Sequence, residues 1–359
     1  MNAQIVETGG FAGNFTTTIA GADGARQQIS HGATILATGG QEYRGEEYRY
    51  GQHDAILTQQ EFESQLHSGE LAGEDVNSIV MIQCVGPAEK YCSRICCTVA
   101  LKNAIFYKER HPGAQITVLY RDIRAYGFKE KLYTRARRMG VVFVRYSEGE
   151  RPVVSLDGPD SGLLVRVRDT SLGRDFVFNP DRLVLSMPVV PRADARELAA
   201  MFKVSTGADG YFLEAHVKLR PVDFATDGIF MAGMVQYPKL LDEAVIQAQA
   251  AAARAARILS RDTITAGGRV AVVDPAKCTG CLTCVRICPF NVPVIQASHG
   301  GVGGILGAAY IEAAVCQGCG SCAAECPACA IQLMDYTDEQ IDAMVSALFD
   351  EASMNTGKQ

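Results

Sequence analysis

C-T-G-C-L-T-C-V-R-I-C-P-F occupies residues 278–290 and C-Q-G-C-G-S-C-A-A-E-C-P-A residues 316–328, so the pattern C-x2-C-x2-C-x3-C-P occurs twice. Thiolates at that spacing wrap three corners of a 4Fe–4S cube from one tight loop, and the fourth cysteine, beside proline, reaches over to the other cube. The expected ligand sets are Cys278, Cys281, Cys284 and Cys326 for one cluster, and Cys316, Cys319, Cys322 and Cys288 for the second. Zinc sites and disulfide frameworks also use paired cysteines, but two complete runs, each closed by Cys-Pro, favour clusters. Cys329, just past the second run, reads as a buried thiol. This end of the chain, expected over 268–335, carries electrons one at a time.

Composition bounds the remainder. A chain of 359 residues has room for two or three domains, and a hydrophobic fraction of 48% supports a sizeable core. A net charge of −6 with no Lys/Arg block argues against nucleic-acid binding. No charged n-region with an apolar h-region opens the sequence and no run of about 18 apolar residues follows, so neither export nor a membrane span is indicated. Thirteen cysteines without an export signal point to metal ligation in a reducing compartment, which makes the cytoplasm the expected location.

Residues 4–40 read as a small β unit with strands near Gln4–Thr8, Asn14–Ala20, Gln27–Ser30 and Thr34–Ala37, separated by glycine-bearing turns. The last strand runs into Thr38, Gly39 and Gly40, where missing Cβ atoms let backbone approach a ligand. Thr58-Gln-Gln-Glu61 is a capping box that opens a helix to about His67, stopped by Gly69. A doubly wound α/β pattern follows over 76–146: strand Ser78–Cys84, helix from about Ser93 to Arg110, strand Ile116–Tyr120, helix from about Phe128 to Met139, and strand Val141–Tyr146.

A nucleotide-binding unit of that kind carries G-x-G-x-x-G after its first strand. This one carries C-V-G-P-A-E-K-Y-C-S-R-I-C-C, with Cys84, Cys92, Cys96 and Cys97 where glycines and phosphate belong. A helix N-terminus stabilises an anionic thiolate cluster as it does a phosphate, so a third cluster is expected here. Neighbouring Cys96 and Cys97 point about 100° apart on a regular helix, and both ligate only if the helix is distorted or starts later. Four buried structural thiols are the alternative.

Residues 150–220 suggest a hairpin (Leu163–Asp169 with Phe176–Phe178), a buried strand from Leu183 and a short helix Ala195–Phe202, without evident chemistry. Residues 228–241 begin as an apolar strand, break at Gly233 and lead into a helix from about Asp242 to Leu259. Ala244, Ala248, Ala251, Ala252 and Ala255 form a smooth packing face on it. Strand, glycine and helix N-terminus together suit a flavin's ribityl and pyrophosphate groups. A terminal helix from about Asp338 to Phe349, with Ile341, Met344, Val345 and Leu348 on one face, is expected to pack on the ferredoxin domain, the alternative being that it docks a partner.

Several stretches together resemble the A subunit of heterodisulfide reductases and its bacterial relatives: Gly13-Asn14-Phe15, A-T-G-G at 37–40, E-Y-R-Y-G at 47–51, Q-C-V-G at 83–86, Y-C-S-R-I-C-C-T at 91–98, L-Y-R-D-I-R-A-Y-G-F at 119–128, Y-P-K at 237–239, and the double cysteine run. The resemblance implies an α/β chain in three parts. The first is an incomplete thioredoxin-reductase-like FAD domain, over 1–75 and 147–262. An inserted Rossmann-like iron–sulfur domain covers 76–146, and an α+β ferredoxin domain with two 4Fe–4S clusters covers 268–335, followed by a helix and tail over 336–359. It further implies that Thr38, Gly39, Gly40, Gly233 and Met234 line FAD, with Lys239 near it, and that Cys84, Cys92, Cys96 and Cys97 ligate the third cluster. Work inside a complex is also implied, with other subunits of that kind, a ferredoxin, hydrogenase or dehydrogenase as electron partner, and flavin-based bifurcation in several members.

One departure matters. Family members carry an N-terminal half with G-x-G-x-x-G for the FAD diphosphate, and no equivalent occurs in this chain. A separate chain supplies that half, or the sequence is part of a longer product, or FAD has been lost; the first is preferred because Met1 opens at a strand and both later FAD elements are intact. Two function classes follow: a flavin-containing redox subunit, or a flavin-free iron–sulfur conductor whose dinucleotide-like part is scaffold. An NAD(P) dehydrogenase acting alone lacks its nicotinamide fingerprint.

Overall fold

A computed structural model describes residues 3–70, 76–86, 92–156, 162–264 and 269–355. The chain divides into two compact units, Gly39–Arg192 with Tyr237–Glu243, and Met1–Thr38 with Ala193–Gln236 and Ala244–Gln359.

The first unit is built on a five-stranded parallel sheet in the order Ile56–Thr58, Arg182–Leu185, Ser78–Ile82, Gln115–Tyr120, Val142–Arg145. Ile79, Val80, Met81 and Ile82 are almost wholly buried, as both faces of a parallel sheet must be covered. Helices α1 (Gln59–Ser68), α2 (Cys96–Arg110) and α3 (Glu130–Arg138) all lie in one core, through Phe62, Ala100, Leu101, Ala104 and Ala136. The opposite core takes Val154, Leu163, Val165 and Val167 from an antiparallel sheet of Val153–Leu156, Leu163–Asp169 and Arg174–Phe178. The expected doubly wound pattern is thus corrected to helices on one face. Each of the three helical crossovers steps the same way along the sheet, and right-handed crossovers taken in one direction place every helix on the same side, while the return from Val142–Arg145 to Arg182–Leu185 puts the antiparallel sheet on the other. The sheet also reaches beyond 76–146, because its two strands at 56–58 and 182–185 close one edge.

Local signals hold at α1. Thr58 Oγ1 accepts from the Glu61 N–H at 3.2 Å, the Thr58 N–H donates to Glu61 Oε2 at 2.8 Å, and Gly69 ends the helix at φ +81°. The helix expected from Ser93 begins only at Cys96, since Arg94 sits at φ +61° and breaks helical geometry before it.

In the second unit, Ala3–Phe11, Asn14–Gly21 and Arg26–His31 form an antiparallel sheet, and Thr34–Leu36 pairs in parallel with Ile229–Met231. Helix α4 (Ala195–Phe202) packs into that core through Ala195, Ala199 and Phe202. Along α5 (Leu241–Leu259) only Ala251 and Ala255 are buried, so the five-alanine packing face is narrower than expected: Ala248 and Ala252 are exposed, as are Leu241, Val245 and Ile246. The C-terminal part pairs Ala271–Val273 with Ile331–Leu333 and Val294–Gly300 with Leu306–Tyr310, with short helices α6 (Thr283–Ile287) and α7 (Ser321–Ala324). Its core closes on Val292, Ile311, Val315 and Ile331 and, among the described residues, takes none from α8 (Asp338–Asn355). Ile341, Met344, Val345 and Leu348 of α8 are exposed, contrary to the packing expected for that helix.

Candidate iron–sulfur and flavin sites

The two cysteine runs fold as near copies. Gly280 and Gly318 sit at φ +67° and +64°, and a Cβ would meet the Gly307 carbonyl oxygen at 2.8 Å and the Arg269 carbonyl oxygen at 2.1 Å respectively. Leu282 and Gly320, both left-handed, then open α6 and α7. Cys281 Sγ lies 3.4 Å from Thr283 Oγ1, and Cys319 Sγ 3.6 Å from Ser321 Oγ. Backbone amides serve the sulfurs: Ala309 donates to Cys278 Sγ at 3.3 Å, Ala271 to Cys316 Sγ at 3.4 Å, and Ala330 to Cys326 Sγ at 3.3 Å.

Cys278, Cys281, Cys284 and Cys326 line one cavity, walled by Leu282, Ile295, Ala309 and Ile331. Three thiols from one run and the fourth from the other is the arrangement expected of an exchanged 4Fe–4S pair. In the second set, burial first, then the neighbouring thiols of Cys316, Cys319, Cys288 and Cys284, push Cys322 up to about 11. The Thr283 hydroxyl and amide hold Cys281 below the usual thiol range. Amides and hydroxyls aimed at sulfur, and thiols crowded together at the cost of each other's ionisation, fit a bound anionic cluster. Cys329 is exposed, correcting the buried thiol expected there: at φ +46° it turns outward immediately after the run.

In the first unit Cys84, Cys92, Cys96 and Cys97 line a single cavity with Gln83, Arg94, Arg121 and Arg124. α2 begins at Cys96 with Ile95 already in the helical region, so Cys96 and Cys97 stand side by side in its first turn. Their first-turn amides lack intrahelical acceptors, so the cavity faces the positive end of a helix. Cys84 ends its strand in the left-handed region, at φ +60°. Burial pushes the Cys97 thiol up to about 11, and burial with neighbouring thiols pushes Cys96 higher still. The Arg121 side chain is hydrogen-bonded to Cys84, and the Arg124 charge acts on Cys97, so positive charge already faces the thiols. The Gln83 side chain is wholly buried, and neither its amide oxygen nor its amide nitrogen has a partner among the described residues. Such an orphan costs about 1–3 kcal/mol, and it lies in the wall of this cavity. The residues therefore fit a bound polar group.

Arg94 ties this site to residues 237–243. Its N–H donates to Cys92 Sγ at 3.3 Å, and its guanidinium donates to both Glu243 carboxylate oxygens at 3.1 Å. The same guanidinium lies 5.1 Å from the Tyr237 ring and 5.9 Å from the Tyr126 ring. Glu243 also accepts from the Tyr126 hydroxyl and the Leu240 N–H. Lys239, buried, places Nζ 4.1 Å from the Tyr237 ring centroid. Gln83, Arg94, Arg121 and Arg124 were missed as site residues; they stand inside the quoted motifs, but only strand order brings them together.

The flavin-associated residues fall in both units. In one, the Ala232 N–H donates to the Leu36 oxygen at 3.0 Å, so Thr38 and Gly233 follow neighbouring parallel strand ends. Gly233 is at φ +78°, with open space where a Cβ would stand, and Met234 lies in the short 3-10 turn Gly233–Val235. The Gly233 N–H donates to Gln247 Oε1 at 2.8 Å and is not offered to a ligand. In the other unit Gly39 is at φ +76° with open space beside it, and Gly40 starts a strand paired with Val189–Pro191.

A sequence family described as a 4Fe-4S binding domain matches residues 270–293. The A subunit of the H(2)/formate:CoB-CoM heterodisulfide,ferredoxin reductase of Methanococcus maripaludis is 38% identical over 346 residues, covering 91% of this chain and 51% of that protein. The A subunit of the H(2):CoB-CoM heterodisulfide,ferredoxin reductase of Methanothermobacter thermautotrophicus is 37% identical over 294 residues, covering 77% of this chain and 44% of that protein. The chain thus spans about half the length of these curated relatives. Among solved structures, thioredoxin reductase of T. acidophilum aligns at a TM-score of 0.47 and 12% identity, over 72% of this chain and 74% of that one, too loosely to place any residue. The chain is a homologue of the A subunits of heterodisulfide reductases, matching about half of their length.

Proposed function

We propose that this chain is an electron-transfer subunit of a heterodisulfide-reductase-like complex, passing electrons between FAD and three 4Fe–4S clusters. The observation that carries the reading is the pair of matching cysteine loops, with the fourth thiol of the one closed cage taken from the other run. A 4Fe–4S cluster supplies one-electron redox chemistry when bound. The chain's own residues do the rest. Cys278, Cys281, Cys284 and Cys326 hold one cluster, Cys316, Cys319, Cys322 and Cys288 the second, and Cys84, Cys92, Cys96 and Cys97 the third. The amides of Ala309, Ala271 and Ala330 and the hydroxyls of Thr283 and Ser321 steady thiolate charge, which favours the reduced state. Leu282, Ile295 and Ile331 limit water at the first cage.

For FAD, Thr38, Gly39, Gly40, Gly233, Met234 and Lys239 supply one half of a site, and the diphosphate half is not carried by the residues of this sequence. Exposed Leu241, Val245 and Ile246 on α5 support a covering partner, since large apolar side chains at 80, 49 and 67% exposure gain from burial. Other subunits of the complex and an external ferredoxin, hydrogenase or dehydrogenase complete the electron path, with bifurcation at the flavin. A flavin-free conductor is the second reading, favoured by the engagement of the Gly233 amide with Gln247. No helix among the described residues is long and apolar enough to cross a membrane.

Replacing Cys281 and Cys319 by alanine tests the wire directly. Dye-coupled electron transfer through the ferredoxin domain is expected to be lost, while the chain stays folded by circular dichroism. Undiminished transfer with both clusters gone would defeat the reading.

A further inference from the structure

Among the described residues that line the Cys84–Cys97 cavity, Gln83 has buried side-chain polar atoms without a partner. Its backbone is fully committed: the N–H donates to the Leu119 oxygen at 2.9 Å, and its carbonyl accepts from the Tyr146 hydroxyl at 2.6 Å. Those bonds fix the residue at the end of the central strand Ser78–Ile82, so its side chain is held in the cavity wall by the sheet itself. Neither the amide oxygen nor the amide nitrogen finds a partner among the described residues, and the residue is 0% exposed.

A buried amide in that state is rare in a folded protein and marks a missing partner. Water alone is an insufficient answer where four thiols share the cavity. A side-chain amide has two N–H donors and sulfur is an acceptor, so a sulfur-rich anion satisfies the nitrogen. Arg121 and Arg124 line the same space, but neither reaches the amide oxygen, which has no partner among the described residues.

We propose that Gln83 is a tuning residue of the third cluster, donating its side-chain N–H to a cluster or ligand sulfur and thereby raising that cluster's reduction potential. The inference rests on the reading of Cys84, Cys92, Cys96 and Cys97 as cluster ligands. The sign follows from charge: reduction adds an electron to the cluster, a donated N–H stabilises that added negative charge, and hydrogen bonds to sulfur are a principal control of cluster potential. Backbone amides reach sulfur in the two ferredoxin loops, and the Arg94 N–H does so at the third site; the Gln83 contribution adds a side chain, which can be altered without touching the fold's backbone.

The test uses the full chain, purified anaerobically with its clusters, and EPR-monitored redox titration. Gln83→Met keeps volume and removes both donors. One of three midpoints is expected to move to lower potential, with the other two unchanged and iron retained. Three unchanged midpoints overturn the proposal. Should the variant lose iron, wild-type chain labelled with side-chain 15N-glutamine gives the same answer: a 15N hyperfine coupling at one reduced cluster supports the bond, and its absence at all three overturns it. Failure of the underlying reading shows separately, as a wild-type iron content of about eight rather than about twelve per chain.

Discussion

Gly318 and Gly39 share a left-handed backbone, yet they predict different outcomes on replacement by alanine. At Gly39 the cost is conformational only, about 1–2 kcal/mol, since nothing stands within 4 Å of the new Cβ. At Gly318 the Cβ would overlap the Arg269 carbonyl at 2.1 Å, so the second cluster loop must move. Gly318→Ala is expected to lose about four irons per chain and Gly39→Ala none; equal iron contents contradict this. Arg94→Lys replaces a planar fork by a single ammonium and loses the paired bonds to Glu243 with the stacking on Tyr126 and Tyr237. Hydrogen exchange at residues 237–243 is expected to quicken about tenfold, and unchanged exchange would show that other contacts hold the segment. In iron-free chain, Cys281, whose thiolate is favoured by Thr283, should alkylate before Cys322, which ionises only near about 11. Raising the pH ionises Cys322 as well and narrows the gap. Equal rates at neutral pH would contradict the hydrogen-bond assignment. The cysteines that line the two cavities were legible because their spacing is local in the chain. Gln83, Arg121 and Arg124 were not, because they meet only through the order of strands.

The elements show the same division. Strand and helix positions followed from periodicity and punctuation, and the Thr58 capping box appeared with both of its bonds. Thr58→Ala removes the cap and also the hydroxyl donated to Glu42 at 3.1 Å. A loss of about 1 kcal/mol is expected, read as a lower Tm with unchanged iron; an unchanged Tm would mean that the cap adds nothing to the unit's stability. Less legible was which face each element presents. The one-sided winding of the parallel sheet depends on where Ile56–Thr58 and Arg182–Leu185 enter it, and neither strand announces its neighbour. The late start of α2 hangs on Arg94 in the left-handed region, which residue type does not foretell. For α8 the apolar stripe was readable, but its exposure depends on a core already closed by Ile311, Val315 and Ile331.

At the scale of the whole molecule, the chain joins a C-terminal part with two matching cysteine loops and a parallel sheet with helices on one face and four thiols lining one cavity. Both are arrangements that crowd thiolates around a space and supply donors to sulfur, and crowding of that kind is stable only with the cluster present. The flavin half-site differs, since its glycines leave room but its Gly233 amide is already engaged. Iron, acid-labile sulfide and flavin content of the anaerobically purified chain is therefore the first measurement. About twelve irons and twelve sulfides per chain, with FAD retained only when residues carrying the diphosphate half are present, is the expected result. Zinc in place of iron, or iron without matching sulfide, would contradict the cluster reading at its root.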